Sequence, residues 1–171
     1  MEYYGFFLLP LETKKSFLFI QKLFDSYAQK HGLHIKFIKL YSLSQGIDFF
    51  GWFFIKKANN FIGSISRINI QSHQKELKSY LKNSKNQSMD NIIFELNKKI
   101  FYWNKFYNCS IQFSKVSSQM NDYLFWLIWY WLKKRHQNKA SKWLYARYWK
   151  KSTYRQWIFS DSDHTLIFYK F

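Results

Sequence analysis

Apolar residues recur at helical spacing near the start of the chain, where Phe17, Ile20, Phe24 and Tyr27 share one face between Thr13 and His31. Thr13 stands where an N-cap belongs, and Gly32 where a helix stops. Two runs rich in Phe and Ile follow, GIDFFGWFFIKK and FIGSISRINI, on either side of the polar turn KANN. These predict a β-hairpin. Beyond about Asn69 the texture becomes helical: Leu77, Tyr80 and Leu81 predict one short helix. Met89, Ile92, Ile93, Leu96, Ile100 and Trp103 predict a longer one, with an apolar face sustained over four turns. A third helix is expected from about Met120 to Arg135 and a fourth from Ser141 to Lys151, with KNSKNQS and SKVSSQ as polar linkers. The stripe over 89–103 reads as bundle core. The expected fold class is therefore α+β, mainly α: a short N-terminal β element, then a helical bundle. No internal repeat or low-complexity tract interrupts it.

The longest apolar run, YLFWLIWYWL, covers Tyr123 to Leu132. A membrane span needs about 20 residues, so this run is expected to be a buried or interfacial helix. The start, MEYYGFFLLPLE, has Glu2 where a signal peptide needs positive charge, and its apolar run ends at Pro10. Neither a secretory nor a transit leader is expected.

Charge changes the picture more than length does. The 171 residues carry a net charge of +17 although 47% are hydrophobic and 23% aromatic. A disordered basic tail would be poor in both. So strong a positive balance on a folded chain points to a polyanionic partner. The charge concentrates in WLKKRHQNKASKWLYARYWKK, Trp131 to Lys151, which contains no carboxylate.

Phosphates would attract Lys133, Lys134, Arg135, Lys139, Lys142, Arg147, Lys150, Lys151 and Arg155 without regard to base sequence. Exposed aromatic faces could stack on unpaired bases. The competing reading is that Trp143, Leu144, Tyr148 and Trp149 face inward and only the cations face out. A membrane-surface role, with rings at the headgroup level, fits the mixed polar face poorly, and no membrane partner is expected.

Catalytic constellations are nearly absent. The ten carboxylates are scattered, whereas two-metal phosphoryl transfer needs paired acids holding ions about 4 Å apart. Asp161 and Asp163 come closest but have no third acid near them in sequence. The single cysteine, Cys109, excludes an internal disulfide, and His31 and His34 lack further ligands at zinc spacing. No catalytic residue, metal or cofactor is expected.

In order along the chain, four segments resemble the C-terminal part of group II intron-encoded reverse transcriptase/maturase proteins. The helix ending in Gly32-Leu33, with Lys39 following, is similar to that family's segment of a helix, Gly-Leu and a lysine-bearing strand, although Leu40 replaces the usual Thr. Phe49 to Trp52, FFGW, resembles the palm motif FLGF. Leu96 to Tyr107, LNKKIFYWNKFY, resembles LNPxxxGWxxYY; it keeps Leu96, Asn97, Trp103 and Tyr107 but has Lys98 for Pro and Tyr102 for Gly. KRHQNKASKWLYARYW is similar to the RHPNKSxxW…YW stretch, keeping Arg135, His136, Asn138, Lys139, Trp143, Tyr148 and Trp149.

The departures matter as much. If Tyr3 aligns with the tyrosine of the family's Tyr-x-Asp-Asp strand, Gly5 and Phe6 occupy the positions of its two metal-binding aspartates. The resemblance thus implies a degenerate palm remnant at 1–68, followed by the thumb and maturase domain X at 69–171. It implies a splicing cofactor that binds group II intron RNA without reverse transcription, and adds His136, Trp143 and Trp149 to the RNA-binding cations above. A remnant that no longer splices, or a module supplying a thumb to another maturase or splicing factor, remains the alternative. The Lys-, Asn-, Phe-, Ile- and Tyr-rich composition suggests an AT-rich genome. A plastid location is expected, then a mitochondrion, with a bacterial origin third.

Overall fold

The structure, a computed structural model, describes residues 14–33, 41–58, 60–151, 157–161 and 164–170. Thr13, Tyr3, Gly5, Phe6, His34, Lys39, Leu40, Arg155 and Asp163 lie outside the described residues. The chain divides into two compact units, Met1–Ser42 and Leu43–Phe171.

In the first unit, helix α1 runs Lys14–Lys30. Phe17, Ile20 and Phe24 are half-buried on the expected face, whereas Tyr27 is exposed. Gly32 ends the helix at φ 65°. Its N–H bonds the Gln29 carbonyl at 3.2 Å, and the Leu33 N–H reaches back to Ala28 at 2.8 Å. This paired closure satisfies carbonyls that a helix end leaves orphaned, and its left-handed residue favours glycine.

The second unit opens with a three-stranded antiparallel meander: β1 Ile47–Phe49, β2 Trp52–Lys57 and β3 Asn60–Ile65. The hairpin over KANN is present, with Lys57 opposite Asn60. The additional strand β1 pairs Phe49 with Trp52 across a two-residue turn. Phe50 and Gly51 there have φ 46° and 82°, the doubly positive geometry that matches the twist of a tight hairpin.

Helices α2 Arg67–Asn83, α3 Met89–Tyr107, α4 Phe113–Arg135 and α5 Ser141–Tyr148 follow. Strands β4 Trp149–Lys150, β5 Ile158–Asp161 and β6 His164–Thr165 form a second antiparallel sheet. The fold is α+β and mainly α.

Three boundaries differ from the sequence reading. Residues 67–70, expected at the end of a strand, are the first turn of α2. SKVSSQ is not a linker: Phe113, Val116, Ser117 and Met120 fall at i, i+3, i+4 and i+7, and all four are buried. The Ser117 hydroxyl returns a hydrogen bond to the Ser114 carbonyl at 3.0 Å, so a polar residue enters the core side with a partner. Finally, α5 stops at Tyr148 rather than Lys151, because Trp149 and Lys150 pair with Phe159 and Ile158.

The core of this unit holds all six residues expected on the long helix, from Met89 to Trp103, with Leu77 and Leu81 of α2 and Leu124, Ile128, Trp131 and Leu132 of α4. Leu127 and Tyr123 are only partly buried. Two of the resembling segments meet here. Gly51 accepts hydrogen bonds from Ser66 N–H at 2.9 Å and from the Tyr107 hydroxyl at 3.3 Å, and Asn69 donates to that same hydroxyl. Trp52 packs 5.2 Å from the Tyr107 ring. A Cβ on Gly51 would collide with the Tyr107 oxygen, so this glycine lets the meander dock on α3.

The C-terminal strap crosses α3 and α4 on asparagines. Asn97 receives the Ile167 N–H at 2.8 Å and donates to the Thr165 carbonyl at 2.7 Å. Asn121 does the same for both backbone groups of Tyr169 at 2.9 Å, and Asn104 donates to Phe168 at 3.0 Å. Each amide thereby replaces a strand neighbour for backbone that would otherwise be unpaired.

Tyr169 is buried and lies 2.8 Å from His73 Nε2, while His73 stacks on Trp103 at 5.4 Å. Burial is the main cause that lowers the His73 pKa, and it raises that of the Tyr169 hydroxyl. The tyrosine therefore donates to a neutral imidazole, whose Nδ1 faces Glu76 at 3.5 Å. Glu76 is itself held below its ordinary range, chiefly by Lys99.

A histidine kept neutral by folding contributes no penalty above its unfolded pKa, near 6.5. Its cost grows as pH falls below that value, because the unfolded chain takes up the proton first. Stability should thus decline from about pH 6.5 downward. Comparing urea midpoints of the unsubstituted chain and His73→Asn at pH 7.5 and 5.5 checks this, the variant showing the smaller loss on acidification.

Candidate nucleic-acid interface

The basic surface is built at the end of α4. With Leu124, Ile128, Trp131 and Leu132 turned inward, helical phase sends Lys133 and Lys134 outward, and both are exposed. Lys133 Nζ stands 5.3 Å over the half-buried Trp129 ring. Three cations in the last turn also complement the negative end of the helix dipole.

The connection to α5 is held by His136. Its N–H closes the helix on Leu132 at 2.9 Å, and its Nε2 lies 3.0 Å from the hydroxyl of Tyr148, at the far end of α5. Burial, then Arg135 and Lys139, lower the His136 pKa, which favours neutral imidazole at neutral pH. Trp143 abuts this pair edge-on, 5.5 Å from His136 and 6.3 Å from Tyr148, and is 39% exposed. Lys139 Nζ sits 5.3 Å over the Trp143 ring. The Arg-His…Asn-Lys…Trp…Tyr-Trp spacing thus has a structural meaning: it closes α4 on α5 and presents Lys139, Lys142 and Trp143 on one tip.

Beside His136 and Trp143, the described residues designated from the sequence separate into three groups. Lys133, Lys134, Lys139, Lys142, Lys150 and Lys151 are exposed, with Lys151 Nζ 5.9 Å over Trp157. Arg135 and Arg147 are engaged within the protein. Arg135 Nη2 donates to the Gln87 carbonyl at 2.8 Å and its guanidinium lies 5.1 Å over Trp131, tying α4 to the α2–α3 connection. Arg147 pairs with Asp161 on β5 at 2.8 Å. The fork geometry suited to phosphate is partly taken up by these contacts, so free bidentate binding by both arginines is not what the geometry offers.

Trp149 is the clearest correction. It is 4% exposed and stacked on Tyr145 at 5.5 Å, with Trp129, Phe125 and Phe159 around it. A ring so enclosed has no face for a base.

Sequence reasoning also passed over two aromatic residues that are exposed, Trp126 at 52% and Tyr130 at 59%. Their signal was their phase: extending the Val116–Met120 stripe by steps of three or four residues selects 124, 128 and 131, and leaves 126 and 130 outside. Among the described residues no group of three His, Cys, Asp or Glu could hold a metal ion, and no helix is long and apolar enough to cross a membrane.

No curated protein matches the chain. Residues 70–149, from the first turn of α2 to the start of β4, match the family model described as the group II intron, maturase-specific domain. The helices that build the basic tip therefore lie within the segment that is similar to that domain, and the match indicates a function connected with group II introns.

Proposed function

We propose that the chain is an RNA-binding splicing cofactor that helps a group II intron fold, the RNA performing the chemistry. The observation that carries this reading is the coincidence of the maturase-specific match over 70–149 with the exposed lysine tip of α4 and α5. Folded RNA resists compaction because its phosphates repel, and fixed cations on a rigid helix pair reduce that repulsion. From Tyr123 to Ser160 the chain has no carboxylate to oppose it. Residues 69–171 supply thumb and domain X in this reading, and residues 1–68 are a palm remnant. With Gly5 and Phe6 at the positions of the family's aspartates, the remnant has no polymerase chemistry. Plastid synthesis and action are part of the same proposal.

Binding measured against salt tests it. Six neutralised phosphates, one for each of Lys133, Lys134, Lys139, Lys142, Lys150 and Lys151, give a slope of log K against log[salt] of roughly −4 to −5. A slope near zero, or template-dependent DNA synthesis above a no-enzyme control, contradicts the proposal.

A further inference from the structure

On α4 the side away from the core carries a feature that charge neutralisation does not use. Trp126 and Tyr130, one turn apart, stack on each other with ring centroids 5.9 Å apart and planes 29° apart. Trp126 also meets Phe125 edge-on at 5.3 Å. Single exposed apolar side chains are ordinary on any surface. Two mutually ordered rings, each more than half exposed, are a different matter where they run directly into a cationic helix end. Tyr130 precedes Lys133 and Lys134 by three and four residues, so the lysines lie on the same and the adjoining strip of the helix. On the other side, Gln119 and Asp122 end the aromatic strip with polar groups. The strip is thus bounded by polar groups at both ends, and towards the C-terminus its charge has one sign.

We propose that Trp126 and Tyr130 form a stacking platform for unpaired nucleotides, with Lys133 and Lys134 holding the adjoining phosphates. This rests on the RNA-binding reading above and gives it a substrate class: single-stranded loops, bulges or junctions rather than continuous duplex. Bases in a duplex already stack on one another, so exposed rings add nothing to its binding. An unpaired base has a free face, and stacking on an aromatic side chain is tolerant of its identity. At 5.9 Å the two rings already touch, so a base is received on the outer face of the pair and not between its members. Asp122 repels the backbone at the far end, so the strand leaves the platform toward the lysines.

The test compares a short labelled single-stranded RNA with a blunt duplex of the same length. The proteins are the unsubstituted chain, Trp126→Ala/Tyr130→Ala and Trp126→Phe/Tyr130→Phe. The alanine variant should lose about 10-fold or more in single-strand affinity, the lower range for one or two stacks. Its duplex affinity and salt slope should be unchanged, and the phenylalanine variant should retain most of the single-strand affinity. Equal losses on both RNAs, or no loss on the single strand, overturn the platform. So does concentration-dependent self-association that disappears in the alanine variant while both RNA affinities persist; the rings would then be a protein contact. Absence of salt-dependent RNA binding by the unsubstituted chain is a separate result, and it removes the wider reading as well.

Discussion

Tyr169→Ala is expected to destabilise the protein by about 3–5 kcal/mol, the range for deleting a buried aromatic ring. The ring is 1% exposed and stands edge-on to both Trp103, at 5.3 Å and 89°, and His73, at 5.9 Å and 85°. Its removal leaves a cavity between α2 and α3, and it leaves His73 Nε2 without the hydroxyl that donates to it. A domain of this size has only about 5–15 kcal/mol to lose, so much of the folded population is at stake. Tyr169→Phe keeps the ring and removes the hydrogen bond alone, which should cost about 1–2 kcal/mol. Urea unfolding checks both: the midpoints should fall in that order at constant slope. If the alanine variant behaves like a surface substitution, the C-terminal strap is not part of the core.

The strap also shows where sequence and structure part company. Its asparagines were visible, and Asn97 was singled out within the resembling segment, but a polar side chain does not announce a partner 68 or 70 residues away. Helix α3 was legible because its stripe is long and its period unbroken. The first two turns of α4 were not, since their polar serines and glutamine outweigh Phe113, Val116 and Met120 in a local window. The end of α5 was set from outside, by pairing of Trp149 with Phe159, and local propensity carries no trace of that. Strand β1 is only three residues long and depends on its neighbour for definition.

The candidate site divides along the same line. Its charges could be read directly, because lysines on a carboxylate-free helix end have nowhere to go but outward. Its aromatic residues could not be sorted without the helical phase and the second sheet, which bury Trp149 and leave Trp126 and Tyr130 outside. The engagement of Arg135 by Gln87 and of Arg147 by Asp161 is likewise long-range. It gives these arginines a part in the scaffold as well.

Lysines rather than arginines are therefore the substitutions that separate binding from folding. Lys134, Lys139 and Lys142 are exposed, and among the described residues none forms a salt bridge with a carboxylate. Changing all three to Ala should leave the thermal midpoint nearly unmoved, since surface substitutions of this kind seldom exceed about 0.5 kcal/mol each. Intron RNA affinity should fall by roughly 100-fold at 0.15 M salt, with the salt slope reduced in size by about 2–3, as three lost phosphate contacts require. Splicing should slow most at low magnesium, where the RNA depends on outside charge to compact, and added magnesium should restore part of the rate by taking over the screening. Arg135→Gln should behave differently. It gives up the guanidinium donor to Gln87 and the packing over Trp131, so it should lower the thermal midpoint before it alters the slope. An unchanged slope in the lysine variant would place the RNA on another surface. Full splicing at low magnesium would remove this tip from the reaction altogether.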